Sequence, residues 1–339
     1  MSETVVGRTP PAVGGGGGDA GRAAEPNPPR RGRGIRTAQR RGSGTPKGRR
    51  VHRLTTADRV TVSLMVGIPS VVVLGLIWLP ALSSVLLSFT SWNGIGSISS
   101  DNIVGLDNYT NIATNYPPFW PAIQHNLIWL AVMFFIATPI GMFLAVLLDK
   151  EIRGSRVYQT ALYLPVVLSL ALIGFVWQLI FSQDQGLLNA VTGADIDWFG
   201  DQRYNLWAAL VATSWRQVGY IMLLYLAGLK AVDGSLREAA AIDGASETET
   251  YFQIIFPVLR PINIIVLVVT FIEALRAFDL VWIINKGRNG LELISTLVTQ
   301  NVVGEASRVG FGSALATVML VISSIFIALY LRVVMKEDR

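Results

Sequence analysis

The chain has 339 residues, of which 51% are hydrophobic and only 15% are charged. Many hydrophobic residues stand in blocks of about 20, too long for the core of a soluble domain, so the sequence predicts an all-α polytopic membrane protein. The lack of cysteine excludes disulfides and thiolate metal sites, and two distant histidines, His52 and His125, argue against a metal centre.

Residues 1–57 are predicted to be a disordered basic tail on the cytoplasmic side. The first 53 residues hold 12 Lys or Arg against 3 Asp or Glu, which gives them a net charge of +9 and leaves −4 for the rest of the chain. The tail is rich in Pro, Gly and Arg, has few large apolar residues, and lacks the apolar core of a signal peptide. We expect contact with anionic lipid rather than nucleic acid, because no aromatic residues are interleaved with the arginines.

Residues 58–336 are predicted to form one membrane domain. Six segments are long and apolar enough to cross the bilayer as helices. They are 60–88, 123–148, 157–181, 206–229, 262–284 and 310–334. Prolines at positions 69, 80, 139 and 165 fall in or near these segments, and we expect kinks there because proline lacks an amide donor.

The distribution of basic residues predicts that both chain termini are cytoplasmic. With that orientation, the cytoplasmic flanks hold ten Lys or Arg and the outside loops hold four. The ten are Arg59, Lys150, Arg153, Arg156, Lys230, Arg237, Arg260, Arg332, Lys336 and Arg339, and the four are Arg203, Lys286, Arg288 and Arg308. The first outside loop, 92–121, has no Lys or Arg and several aromatic residues. It is either a surface for a soluble binding protein or an interfacial aromatic belt.

A polar segment between the fourth and fifth predicted helices, 234–261, reads as two short helices joined by a glycine. Ser235 and Glu238 match the S-x-x-E capping box, and Ser246 with the glutamate at 249 repeats it. Gly244 stands where a left-handed residue ends the first helix. Prolines at 257 and 261 limit the second helix. An ordinary, well-capped solvated loop is the alternative.

The residues of this loop resemble the EAA loop found in membrane subunits of bacterial ATP-binding-cassette importers. The matching residues are Glu238, Ala239, Ala240, Asp243, Gly244, Ala245, Ile255, Pro257 and Pro261. Leu162-Tyr163-Leu164-Pro165, Gly186-Leu187-Leu188-Asn189 and Phe278-Asp279-Leu280-Val281-Trp282 are similar to segments of the carbohydrate-type permeases of that superfamily. The segment 285–290 departs from the glycine-rich turn that many relatives have there.

The resemblance implies a set of partners in a bacterial plasma membrane. The loop would couple this chain to two cytoplasmic ATPase subunits, with a second, homologous permease and an extracytoplasmic sugar-binding protein. The substrate would be a sugar, and the long basic tail, similar to that of actinobacterial members, puts a disaccharide such as trehalose among the candidates.

No phosphate-binding G-x-x-x-x-G-K-[ST] sequence is present, so we expect no enzyme activity and no cofactor on this chain. ATP and Mg would be bound by the partner ATPase. An ion-coupled secondary carrier is the first alternative, although neither an internal repeat nor a relay of acidic residues supports it. A membrane-bound enzyme or scaffold is the second, and no catalytic constellation supports it.

Charged residues within predicted membrane helices mark a candidate substrate path. Glu273, Arg276 and Asp279 are spaced by three, which would place them in one arc of the fifth helix. Gln217 and Tyr220 on the fourth helix, beside Trp215 and Arg216, would add the amide and aromatic groups that a sugar needs. The resemblance also implies sugar contacts from these two helices. The alternative is a structural ion pair between Glu273 and Arg276 or Arg216.

Overall fold

The computed structural model describes residues 55–150, 153–304 and 307–337. By its internal contacts the chain divides after Val60, and the residues from Thr61 onward form one unit. Helices make up the regular secondary structure of the described residues, apart from an isolated bridge between Thr90 and Ile103. The predicted helical class is therefore confirmed for these residues. Of the predicted disordered tail, residues 1–54 lie outside them, and the prediction is wrong for Thr56 and Ala57, which belong to the first helix.

Sixteen α-helices lie in the described residues, in this order. They are α1 (Thr56–Val73), α2 (Leu79–Leu87), α3 (Asp107–Thr114), α4 (Phe119–Val132), α5 (Thr138–Asp149), α6 (Ser155–Val167), α7 (Leu170–Ile180), α8 (Leu187–Thr192), α9 (Asn205–Ala231), α10 (Gly234–Ile242), α11 (Glu247–Glu249), α12 (Phe256–Val258), α13 (Arg260–Leu275), α14 (Asp279–Asn285), α15 (Ile294–Val302) and α16 (Val309–Glu337).

Three helical segments are long and apolar enough to cross a membrane without a break, namely Thr56–Leu87, Phe119–Asp149 and Val309–Tyr330. Three further candidates are helix pairs bent at a short break. They are Ser155–Val167 with Leu170–Ile180 at 104°, Asn205–Ala231 with Gly234–Ile242 at 74°, and Glu247–Val258 with Arg260–Asn285 at 74°. The count of six spans is reached only if each pair provides one span, so it stays a prediction.

Three π-helical turns stand two residues before a proline. The turns are Leu74–Trp78, Met133–Ala137 and Thr250–Ile255, and the prolines are Pro80, Pro139 and Pro257. A proline ring clashes with the carbonyl four residues earlier and offers no amide proton, and a widened turn accommodates both defects. Two of the prolines expected to kink helices therefore sit beside a local widening of the turn.

The prediction of one continuous helix over 157–181 is wrong. Leu168 and Ser169 adopt extended backbone angles and separate α6 from α7. The Ser169 side chain accepts a hydrogen bond from the amide of Leu172, so it caps a new helix. Pro165, three residues before the break, cannot donate within α6.

The fifth predicted helix is also broken, because α13 ends at Leu275 and α14 begins at Asp279. Side chains from other helices satisfy the carbonyls at the break. Asn126 of α4 donates to the Ala274 oxygen at 3.2 Å, and Ser295 of α15 donates to the Ala277 oxygen at 2.5 Å. The single helical arc predicted for Glu273, Arg276 and Asp279 is therefore wrong.

Packing around α9 organises the rest of the unit. Gly219 of α9 lies so close to α6 that a Cβ there would be 2.3 Å from the Leu162 oxygen, so only glycine allows this approach. One buried cluster, around Trp129 and Leu210, packs against the first half of α9. A second cluster, around Leu148 and Ile255, packs against the last part of α9, and a third, around Phe119 and Leu297, joins α3, α4, α15 and α16.

Candidate functional site

The segment 233–258 forms an elbow in which α10 leaves α9 at 74°. The predicted capping box of Ser235 with Glu238 is wrong, because Asp233 caps α10: its carboxylate accepts the Ser235 amide proton at 2.9 Å. This hydrogen bond lowers the pKa of Asp233. The helix therefore starts at Gly234, and the Glu238 side chain is left exposed.

The turn between the two limbs of the elbow depends on Gly244. Its φ is +78°, and the amide of Ala245 donates back to the Ala240 oxygen at 3.0 Å, as in a Schellman C-cap. Ser246 and Glu249 then form the predicted reciprocal capping box, with hydrogen bonds of 2.8 and 3.3 Å. The Ser246 amide and hydroxyl both donate to the Glu249 carboxylate, and these two hydrogen bonds lower the pKa of Glu249.

The elbow buries one side and exposes the other. Ala240 is 2% exposed and rests on the chain, whereas Ile242 is 86% exposed. Glu238, Ala239 and Asp243 are exposed beside Ile242, together with Gly244, while Ala245 is half-buried. The exposed side thus combines an isolated apolar residue, two carboxylates and small residues that permit close backbone approach.

Ion pairs hold the elbow against the end of α5. The Asp149 carboxylate, whose side chain is 7% exposed, lies 2.6 Å from the Arg237 guanidinium and 3.3 Å from the Lys230 ammonium. Lys150 pairs with Glu247 on the second limb, and this hydrogen bond lowers the pKa of Glu247. Sequence reasoning missed Asp149, because nothing near it in the sequence signals a partner 88 residues away.

The predicted substrate-path residues meet around a cavity of about 150 Å³ between α4, α9 and the break after α13. Its lining residues are Trp129, Met133, Leu170, Thr213, Arg216, Gln217, Glu273, Arg276, Ala277, Phe278, Asp279, Leu280 and Val281. Gln217, Glu273, Arg276 and Asp279 are thus brought together although they do not share one helix. Tyr220 is half-buried and does not line this cavity.

Polar groups in this cavity are incompletely paired. The Arg216 guanidinium is 3.7 Å from the Glu273 carboxylate, which is the structural ion pair considered as an alternative to a substrate role. Gln217 is 2% exposed, and within the described part of the chain neither its Nε2 nor the Nε of Arg216 has a hydrogen-bond partner. Buried donors of this kind are expensive unless a ligand or water accepts from them.

The break after α13 also faces a second, more open groove of about 610 Å³. Arg276, Phe278 and Asp279 line both spaces. The groove adds hydroxyl groups from α15 and α16, namely Ser295, Thr299, Ser323 and Ser324. Sequence reasoning did not single out these residues, although Ser295 and Thr299 are four apart and so share a helix face.

Comparisons with known proteins identify the family of this chain. The family model described as "Binding-protein-dependent transport system inner membrane component" matches residues 137–336. The xylose/arabinose import permease protein XacH of Haloferax volcanii is 33% identical over 72% of this chain and 78% of its own. The arabinooligosaccharides transport system permease protein AraP of Halalkalibacterium halodurans is 32% identical over 66% of this chain and 73% of its own.

A solved structure has a fold similar to that of this chain. In a bacterial alginate ABC transporter in complex with an alginate pentasaccharide-bound periplasmic protein, one chain superposes with a TM-score of 0.70. The alignment covers 81% of the present chain and 93% of the other, at 16% identity. At that identity the likeness concerns the fold alone.

Proposed function

Because this chain belongs to the family of binding-protein-dependent transport system inner membrane components, we propose that it is one membrane subunit of an ATP-driven sugar importer. It crosses the bilayer six times and keeps both termini and the elbow in the cytoplasm. The elbow carries this proposal, because it is an exposed, well-capped lever joined directly to α9 and α13, the helices that hold the polar cavity.

The elbow binds a separate ATPase subunit. Its exposed side, with Ile242 at the tip and Glu238, Ala239 and Asp243 beside it, is the contact surface. The ion pairs of Asp149 tie the first limb to α5, so a displacement of the elbow moves α5 and α9 together. Alternating access needs such a rigid connection between the motor and the gate helices.

A complete transporter contains two such ATPases, which bind ATP and Mg, and a second, homologous permease. The second permease or lipid covers the helical segment Thr56–Leu87, because the most apolar stretch of this segment has no residue buried within this chain. An extracytoplasmic binding protein delivers the substrate, as the alginate transporter with its bound periplasmic protein suggests by analogy. The exposed Trp120 of the first outside loop is a candidate contact.

The substrate is a neutral sugar. Relatives named for xylose, arabinose and arabinooligosaccharides support this class. The polar cavity adds the unpaired donors of Gln217 and Arg216 to the carboxylates of Glu273 and Asp279, a set that matches sugar hydroxyls. Trehalose is one candidate sugar. The family match does not favour an ion-coupled carrier.

The test is to purify the tagged chain in mild detergent, identify the co-purifying subunits and measure uptake of labelled sugars by the reconstituted complex. We expect an ATPase, a second permease and uptake that stops when ATP is withheld. Uptake that persists without ATP and follows a proton gradient would contradict the proposal. Isolation of this chain alone, with no ATPase activity in several detergents, would contradict it as well.

A further inference from the structure

A pocket of about 480 Å³ lies at the end of α9 that is opposite to the elbow. It is lined by Pro117, Pro118, Pro121, His125, Gln202, Arg203, Leu206, Trp207, Gly290 and Glu292. Its volume falls in the usual range for small-molecule sites, about 300–1000 Å³. The pocket is separate from the cavity between α9 and α13: Trp207 and Arg216 are nine residues apart on α9, about 13 Å along the axis.

The walls of this pocket are held in place by hydrogen bonds between distant segments. His125 of α4 donates from Nδ1 to the backbone oxygen of Glu292 at 2.9 Å, and Asn126 accepts the Ile294 amide proton at 3.0 Å. The side chain of Asn205 donates to the backbone oxygen of Asn289. The start of α4, the start of α9 and the loop before α15 are therefore fixed relative to one another before any ligand arrives.

The side chains that face the pocket suit a neutral polyhydroxylated ligand. Trp207 is 55% exposed and offers an aromatic surface to the C–H groups of a sugar ring. Arg203 is exposed, and among the described residues its guanidinium makes no ion pair, so it can donate to hydroxyls. The carboxylate of Glu292 accepts from the Gly290 amide at 3.1 Å and has further acceptor capacity.

Charge balance disfavours an ionic ligand. Arg203 and Glu292 carry opposite charges, so together these two side chains bring no net charge to the pocket. The Nδ1 proton of His125 is already used, which leaves Nε2 as an acceptor in the neutral ring. The pocket thus offers donors, acceptors and an aromatic face without selecting for an anion or a cation.

We propose that this pocket is an outer sugar-binding site, which holds the sugar after its release from the binding protein and before it enters the cavity between α9 and α13. The inference rests on the proposed sugar importer and adds a second binding site on the same path. Both sites include residues of α9, so a movement of α9 driven by the elbow changes both sites.

The test uses the fact that the chain has no cysteine, so that one introduced thiol is unique within it. Pro117→Cys places a thiol at the exposed rim of the pocket, and Ile95→Cys places the control in the first outside loop at a position 76% exposed. The complete complex in nanodiscs, without binding protein, is treated with a bulky hydrophilic maleimide, and labelling of this chain is followed with trehalose, maltose, xylose or arabinose added.

We expect the sugar that the wild-type complex takes up to slow labelling at Pro117→Cys, by about tenfold when its concentration is ten times its Kd. Labelling at Ile95→Cys stays constant. Protection is lost in Pro117→Cys combined with Trp207→Ala and kept with Trp207→Phe, which retains an aromatic face.

Two results would contradict the outer sugar-binding site without contradicting the proposed function as a sugar importer. One is uptake of a sugar by the wild-type complex with no protection by that sugar. The other is slowing of the label only when binding protein is added, with or without sugar, because the pocket would then be a docking contact. A wild-type complex that takes up none of the four sugars would instead contradict the proposed function, and the outer site with it.

Discussion

The Arg237 guanidinium on the first limb of the elbow contacts the Asp149 carboxylate at the end of α5, over 2.6 Å. The Asp149 side chain is nearly buried, whereas the Arg237 side chain is 42% exposed. Asp149 is therefore the fixed member of the pair, and its contact with Arg237 positions the elbow. Lys230, at the end of α9, approaches the same carboxylate at 3.3 Å. One side chain therefore connects α5, α9 and α10.

Replacement of Asp149 by Asn should weaken the attachment of the elbow. Because both cations are about half-exposed, we expect a loss of only about 1–2 kcal/mol in the free energy of unfolding. The coupling between ATP hydrolysis and sugar uptake should fall further, since the lever loses its fixed contact. The ratio of sugar transported to ATP hydrolysed measures this effect. An unchanged ratio in a complex that still assembles would contradict the role of Asp149.

The exposed pair of Lys150 with Glu247 provides the matched control. Its side chains are 50% and 83% exposed, so Lys150→Gln should leave stability and coupling close to wild type. The pair lowers the pKa of Glu247. Its contribution is therefore present above the ordinary glutamate range and is lost only as the pH falls through the lowered pKa. Coupling should not change through this pair between about pH 6 and pH 8, and a titration of coupling in that interval checks it.

Gly244→Val should abolish uptake without preventing insertion of the chain. A side chain in the left-handed conformation costs about 1–2 kcal/mol, and valine is among the residues least suited to it. A Cβ at this position meets no atom of the chain within 4 Å, so the loss reflects the shape of the elbow and its contact with the ATPase. Co-purification of the ATPase measures that contact.

Gly234→Ala is the control for this substitution. Gly234 also meets nothing within 4 Å and does not have a positive φ. Normal recovery of the ATPase with Gly244→Val would count against docking at the elbow. Gly244→Asn should be intermediate, because asparagine tolerates the left-handed region better than valine.

Glu238→Lys should also reduce uptake, by reversing a charge on the exposed side of the elbow. The side chain is exposed, so the melting temperature should change little. Loss of the ATPase on purification, with normal membrane insertion, is the expected result. Retained ATPase and normal uptake would place the contact elsewhere on the elbow.

Gln217→Leu separates a substrate role from a structural one. In a purely structural role, removal of a buried and unpaired amide is neutral or stabilising. If Gln217 donates to the sugar, KM for uptake should rise about tenfold, the value of one lost hydrogen bond of roughly 1.4 kcal/mol. Thr270→Val is the control, because the Thr270 hydroxyl is likewise buried and unpaired but lies outside the cavity. Equal KM values in the two variants would assign Gln217 to the structure alone.

Local sequence signals predicted much of the elbow. The Ser246 box and the left-handed Gly244 depend on residues within five positions of each other, so they could be recognised without tertiary information. The start of α10 was predicted wrongly. Asp233 and Ser235 are both good capping residues, and Ser235 with Glu238 matches the S-x-x-E capping box better. Ser169, four residues after Pro165, is a local capping signal for α7 that was not used to predict the break.

The sequence by itself determined the helical class, the approximate extent of the apolar helices that run without a break and the position of the elbow, because hydrophobic length and helix caps act between near neighbours. Only the tertiary structure decided where the fifth helix breaks. Asn126 and Ser295, from distant helices, bind the carbonyls at that point. It also paired Asp149 with Arg237 and gathered three segments around the pocket beside Trp207. These contacts join residues far apart in the chain, so no local pattern contains them.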